Sequence, residues 1–444
     1  MVRKTLLAFC AAVTLLPMMT PPAFTQEPAS LPKVKLRPYH PPPHGITREA
    51  IRGLIARTMR ARALGQRIAV DPVQVPHWFF DVISSRDGGE YIGVMVGGNA
   101  LIAGANPSSV PVQIIPVIVN TVTLGTAVDP FTGAITPATG GPGNGTVFDP
   151  TLPDAGCLTA PNDKPVRLFK KSPLFHAANF NFGGTGVGFT QYADAVQRAS
   201  FWDKINRDTY HVLLNPVTRL APITLNLPAP AGGTGGLALD LPTLIGACGR
   251  LGIVDVNLID AFVASLLATA GTLPGVTPGT FPIFMFYNTA FSIGDPTNLL
   301  NCCAGGFHNA VNVGTAGSPV FQTYSVVGFD ATGAFGVALT DTAIASHEVA
   351  EWMNDPLGTN LSPAWGNVGP VQGCQESLEV ADPLAGVEAP RIFMPNGFTY
   401  HLQEIAFFSW FFGPINGDPS TIGLPGWFSN NGTFLADAGP ICAP

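Results

Sequence analysis

Asp341-Thr-Ala-Ile-Ala-Ser-His347-Glu348-Val-Ala-Glu351-Trp-Met-Asn-Asp355-Pro356 is the stretch whose reading decides the rest of the chain. Asp341 or Thr342 can cap a helix start, and Pro356 closes the segment, so residues 341–356 predict one short helix. His347 and Glu351 are four apart and share a face of that helix. Two metal-ligating side chains then project the same way from one rigid element, with Glu348 beside them. This is the pattern of the H-E-x-x-H zinc helix, with a glutamate in place of the second histidine.

A catalytic zinc usually takes three protein ligands and leaves a fourth position open. His347 and Glu351 supply two, so the third has to come from elsewhere. Downstream, Cys374-Gln-Glu376-Ser-Leu-Glu379-Val-Ala-Asp382-Pro carries Glu379 and Asp382 three residues apart. We expect Glu379 as the third ligand, with Asp382, His308 (in Gly306-Phe307-His308) and His401 (in Tyr400-His401-Leu402-Gln403) as further candidates. Glu348 would take a proton from the attacking water and pass it to the leaving group. A carboxylate among the helix ligands also opens the site to harder ions such as calcium. The alternative reading makes His347 and Glu351 a hydrogen-bonded helix face, and Glu379 and Asp382 loop caps.

Working outward, the chain has 444 residues, 46% of them hydrophobic and 11% charged, roughly half the usual charged share. Glycine (50) and proline (43) are both abundant, which suits a loop-rich, strand-rich fold with many turns. The net charge of -7, with no long basic run beyond the first seventy residues, argues against a nucleic-acid partner. Arg3 and Lys4 precede an apolar run from Thr5 to Met19, so residues 1–25 read as a signal peptide. Cys10 lies within that run after the bulky Phe9, which argues against a lipid anchor. No later stretch is apolar enough to span a bilayer, so the expectation is a secreted protein, extracellular or periplasmic, off the membrane after signal removal. Without Cys10 six cysteines remain, Cys157, Cys248, Cys302, Cys303, Cys374 and Cys442. An even number in an exported chain predicts disulfides. The adjacent Cys302 and Cys303 are expected to reach two different partners.

Residues 26–70 read as a proline-rich arm followed by a basic amphipathic helix over Ile46 to Gln66, either a solvated face or a removable pro-segment. A main domain then fills 71–444, with the metal site inside 300–410. Trp78 to Ser84 and Tyr91 to Val96 flank Asp87-Gly88-Gly89 as a hairpin. Val110 to Leu124 is strongly β-branched, but Pro111 and Pro116 predict an edge or bulged strand, or a pair of short ones. The glycine-rich 140–145 segment reads as a loop. Helices are expected over Gln191 to Asn206 and Asp255 to Ala270. Leu213 to Leu227 reads as strand and loop, and strands are expected over Phe281 to Asn288 and Phe321 to Phe329. His211 reads as structural. This succession predicts an α+β fold with a mixed or antiparallel sheet.

The Ser346-His-Glu-Val-Ala-Glu-Trp-Met-Asn-Asp-Pro stretch, with Glu379-Val-Ala-Asp382 after it and Gly306-Phe307-His308 before it, resembles the Exordium-like (phosphate-induced protein) group. It also resembles bacterial secreted proteins with an S-H-E-x-x-E helix. Further blocks similar to the bacterial members are Ser84-Ser-Arg-Asp87-Gly, Gly93-Val-Met-Val-Gly97 and Thr190-Gln-Tyr-Ala-Asp194-Ala-Val-Gln-Arg198-Ala-Ser-Phe201-Trp202. The resemblance runs as scattered blocks from about Val75 to Pro444. It implies a secreted or wall-associated protein with the look of a zincin-like metallopeptidase acting on a peptide or protein substrate. The competing class is a non-catalytic extracellular binding protein whose acidic cluster holds calcium or only hydrogen bonds. A cysteine nucleophile at Asn301-Cys-Cys-Ala-Gly-Gly306 is the weaker reading, because export favours disulfides.

Overall fold

The computed structural model of the chain describes residues 36–442 except 67, 69, 103, 105, 139–144, 155, 156, 158–162, 246, 270, 414–422, 425 and 435–441. The expected signal peptide, Cys10, the first part of the arm and most of the glycine-rich loop lie outside the described residues.

The chain is α+β, as composition and pattern predict. Helix α1 (Arg48–Ala63) starts at Thr47, whose hydroxyl accepts the Ala50 N–H at 3.2 Å. Its Ile51 and Ile55 are buried in the largest core. The hairpin follows as β1 (His77–Ile83) and β2 (Glu90–Val96), in an antiparallel register from His77 opposite Val96 to Ile83 opposite Glu90.

At the centre stands a seven-stranded mixed sheet. Its long member is β3 (Ser108–Asn120). Along one flank of β3 run β4 (Val212–Arg219) and β5 (Ile223–Asn226), both parallel to it. Its other neighbours are β6 (Phe281–Tyr287), parallel, and the short antiparallel strand Val147–Phe148. Beyond β6 come β8 (Phe321–Phe329), parallel to β6, and β7 (Gly306–Asn312), antiparallel to β8 at the sheet's end. Of the expected forms at 110–124, the edge strand and the broken pair are corrected, because β3 is one continuous interior strand, while the bulged strand fits the register shift at Pro111. Its prolines fall at interruptions of the ladder. Pro111 lies at a register shift against β4, and Pro116 lies where β4 has ended and β5 has not begun. A missing N–H costs little there.

Side chains alternate across this sheet with the period of two that strands impose. On β6, Phe281, Ile283, Met285 and Tyr287 face one core, and Phe284 and Phe286 face another. Helix α4 (Ala343–Asn354) packs on the first face, against β8, β7 and helix α2 (Tyr192–Ser200). The ring of its Trp352 stacks on Phe281 at 3.6 Å, and the indole N–H donates to Thr323 Oγ1 at 3.0 Å. Helix α3 (Val256–Ala268) contributes to the second core. Helix α2 is shorter than the expected 191–206, because Phe201 and Trp202 turn into the core and the chain leaves the helix there.

The start of α4 also differs from the expected cap. Thr342 makes no side-chain cap bond; its hydroxyl donates to the His401 carbonyl at 2.8 Å. The Asp341 carboxylate instead accepts from the Thr342 and His401 backbone N–H groups. Disulfides join Cys157 to Cys248, Cys374 to Cys442, and Cys302 to Cys303. The expectation that the adjacent pair reach separate partners is corrected. The other four cysteines pair among themselves, which leaves these two sulfurs to each other.

Candidate metal centre

The site is assembled from α4, β7 and the loop that carries Glu379 and Asp382. On β7 the strand period puts Gly306, His308 and Ala310 on the face toward α4, while Phe307 and Val311 face the opposite core. Gly306 is required at that approach. A Cβ there would come within 2.6 Å of the Val326 carbonyl oxygen and 2.9 Å of Glu348 Cγ. The missing side chain is what lets Glu348 lie against β7.

Each histidine is oriented by a partner on its outer nitrogen. His308 Nε2 is 2.9 Å from the Asp355 carbonyl oxygen, which can only accept, so that nitrogen carries the hydrogen and Nδ1 is the free lone pair. His347 Nδ1 is 3.0 Å from Gln403 Oε1. The Gln403 amide is held the right way round because its Nε2 donates to the Ala381 carbonyl at 2.8 Å. This leaves His347 Nε2 facing inward, 3.0 Å from Glu351 Oε2 and 3.5 Å from Asp382 Oδ1. His308 Nδ1 faces Glu348 Oε2 at 3.7 Å and Glu351 Oε2 at 3.8 Å. Such outer partners are what metal-ligating imidazoles have in protein sites.

Among the described residues two groups of three with ligand atoms within 4.8 Å of one another result, His308–Glu348–Glu351 and His347–Glu351–Asp382, and Glu351 belongs to both. The first is buried throughout and can hold a metal ion. Glu351 is anchored by its other oxygen, Oε1, which accepts the Ala381 N–H at 3.2 Å. Glu379 lies alongside, with Oε2 3.9 Å from His308 Nε2, but outside both groups. His401 stands elsewhere, paired with Asp341 and 3.6 Å from Glu388. His211 pairs with Asp194 at 2.8 Å, as a structural residue would.

Electrostatics follow from packing so many charges away from water. Burial pushes the carboxyls of Glu348 and Glu379 well above the ordinary range, with neighbouring Glu351 and Asp382 adding to it against the opposing histidine charges. Burial also works against charge on His347, but Glu351, Glu348 and Asp382 outweigh it and hold its pKa well above that of a free imidazole. His308 goes the other way, down to about 3, through burial and then the charges of His40 and His347. Asp382 is lowered, because His40 and His347 overcome the effect of its burial. Two carboxylate oxygens, Glu379 Oε2 and Asp382 Oδ1, are buried without a hydrogen-bond partner among the described residues. A cation held here would satisfy both oxygens.

Three participants escaped the sequence reading: His40, Gln403 and the Asp355 carbonyl. Gln403 lies in the same Tyr400-His401-Leu402-Gln403 segment that suggested His401, but a neutral amide gives no ligand signal. Asp355 takes part through its backbone, which sequence does not display. His40 sits before Pro41-Pro42-Pro43 in what reads as a linker. Its Nδ1 is 3.3 Å from Glu379 Oε1 and its Nε2 2.9 Å from Asp382 Oδ2.

Comparisons with protein-family models, with curated proteins and with solved structures return no match for this chain.

Proposed function

We propose that this chain is a secreted zinc-dependent hydrolase of the zincin type, cleaving peptide bonds. One observation carries the reading. Two imidazoles, each turned by an oxygen acceptor on its outer nitrogen, present their inner nitrogens to the same buried glutamate, beside carboxylate oxygens that lack hydrogen-bond partners among the described residues. His347, Glu351 and Asp382 are the ligand set this favours. Their spacings of 3.0 and 3.5 Å bracket the ~3.4 Å expected between ligands held ~2.1 Å from a tetrahedral ion. The resemblance read from the motifs points the same way.

Zinc, when bound, supplies a Lewis acid that polarises the scissile carbonyl and makes water a better nucleophile. Glu348 would receive the proton of the attacking water and return it to the leaving amine; burial raises this carboxyl in the metal-free chain, and the positive charge of a bound zinc would offset that and favour the carboxylate the step needs. His308, neutral and fixed by the Asp355 carbonyl, stands beside Glu348, with its Nδ1 3.7 Å from Oε2. Gln403 and the Ala381 N–H hold the ligands in place. Export is supported by the paired cysteines, which suit an oxidising compartment. Among the described residues no helix is long and apolar enough to cross a membrane.

The test is metal analysis of the purified chain together with hydrolysis of a peptide library. About one zinc per chain is expected, and Glu348→Gln should retain it while losing hydrolysis. A metal-free protein whose stability is indifferent to His347→Ala would overturn the reading. The acid-rich composition of the site favours one competitor, a calcium-holding binding module. Thermal stabilisation by calcium without hydrolysis of any peptide would establish that instead.

A further inference from the structure

The arm at 36–44 lies across the mouth of the metal centre and is held there along its length. The Arg37 N–H donates to the Cys303 carbonyl at 2.7 Å. Seven residues later His44 exchanges two backbone bonds with β7, its N–H to the Ala310 carbonyl and its carbonyl from the Asn312 N–H, both at 3.0 Å. The arm thus runs extended and parallel to the outer edge of the strand that carries His308. Side chains add to the seating. Tyr39 packs edge-on against Phe307 with ring centres 5.6 Å apart, and His44 Nε2 meets Asp260 at 2.9 Å. From outside, the Arg48 guanidinium donates to the His40 and Pro41 carbonyls at 2.9 and 3.2 Å. Residues 36–40 form one wall of the cavity whose opposite wall is His347, Glu348 and Glu351.

Between the two ends the sequence is Arg37-Pro-Tyr-His-Pro-Pro-Pro-His44. Prolines at 38, 41, 42 and 43 have no N–H to give to the strand edge, so the backbone pairs only at its ends. They also restrict the unbound arm, which lowers the entropic cost of seating it. The residue they present at the midpoint is His40, between Glu379 and Asp382. An extended peptide with ordinary N–H groups laid on the same edge would make backbone bonds that this arm cannot, which is how peptides add to open sheet edges.

We propose that residues 36–44 are an internal blocking segment occupying the cleft of an extended peptide substrate, with the His40 imidazole seated on the metal centre as a further ligand. This rests on the metallohydrolase reading above. A substrate then has to displace the arm, or the arm has to be drawn out, before a scissile bond reaches Glu348.

The experiment uses the full chain loaded with zinc, comparing wild type with His40→Ala. Two quantities are read: the rate at which zinc passes to a chromogenic chelator, and the rate of hydrolysis of fluorogenic extended peptides. Both should rise about tenfold in the variant. Free imidazole should slow zinc loss again by refilling the vacated position, an effect that a merely structural histidine would not produce. If folding of His40→Ala is impaired, His44→Ala loosens the arm's other anchor without touching the centre, and both rates should rise by a smaller factor. Zinc bound in both proteins, with release and hydrolysis unchanged in a folded variant, would overturn the proposal and leave the metal reading standing. Absence of zinc from the wild type overturns both.

Discussion

Two buried glutamates in this molecule sit in opposite situations. Glu404 is fully buried, and its carboxylate is saturated: Oε1 accepts from the Ser429 hydroxyl and the Asn431 and Thr433 N–H groups, and Oε2 from the Thr433 hydroxyl at 2.6 Å. Glu379 is 1% exposed, yet among the described residues its Oε2 has no hydrogen-bond donor, and its other oxygen lies 3.3 Å from the His40 ring. The first carboxylate is answered by its own fold and ties residues 429–433 to the core. The second is left in deficit, and the deficit is shared with Asp382 three residues on. Buried charge alone therefore does not mark a functional site; an unanswered one does.

The contrast can be broken most sharply at Glu348. Its replacement by glutamine should lower kcat/KM for a peptide substrate by about 10²–10⁴-fold while zinc content stays at wild-type level. Next in size is Glu404→Ala, which should cost about 3 kcal/mol in denaturant unfolding, since it strips a charged acceptor from several buried donors, with zinc content unaffected. Glu379→Gln should behave oppositely. Unfolding of the metal-free protein should be unimpaired, because a carboxyl penalised by burial is removed, while zinc affinity in a competition titration falls about 10–100-fold.

The smallest expected effect is on pH. Glu348 and Glu379 keep protons in the folded state that the unfolded chain releases, so stability falls as pH rises above the ordinary carboxylate range. For His347 and His40, burial is outweighed by the facing carboxylates, and His40 reaches about 10. The stability they contribute is complete below the unfolded histidine pKa and disappears as pH climbs through the folded one. His308, lowered to about 3, opposes this trend only up to the unfolded histidine value. The metal-free chain should thus melt at lower temperature at pH 8 than at pH 6. Zinc displaces those protons, so the rise in Tm on adding it should be larger at pH 8. A zinc effect independent of pH would place Glu379 in the same class as Glu404.

Much of this was readable in the chain, and for identifiable reasons. A helix at 343–354 with His347 and Glu351 on one face follows from i, i+4 spacing, which is local. The apolar runs that became β6 and β8 are similarly local. Pro111 and Pro116 leave edge, bulged and broken strands open at 110–124, because proline's effect on a ladder depends on where the neighbouring strands stop, and that is settled by partners about a hundred residues away. His308 could be named a candidate from Gly306-Phe307-His308, but its inward turn depends on the Asp355 carbonyl. His40 was beyond reach: 342 positions separate it from Asp382, and nothing periodic surrounds it. A site built from an arm, a strand, a helix and a loop shows in sequence only the part that lies on one element.

The position of β7 has one more consequence. It is the last strand of the seven-stranded sheet, and beyond the paired His44 position its outer row of backbone groups faces away from any other strand of that sheet. Bare edges of this kind recruit other chains and seed aggregation. The proline-rich arm covers that row with a segment that cannot itself extend the ladder, which makes it an insulator as well as an occupant. Preparations lacking residues 36–44 should therefore turn turbid at concentrations where the whole chain stays clear, a colloidal penalty independent of anything at the metal.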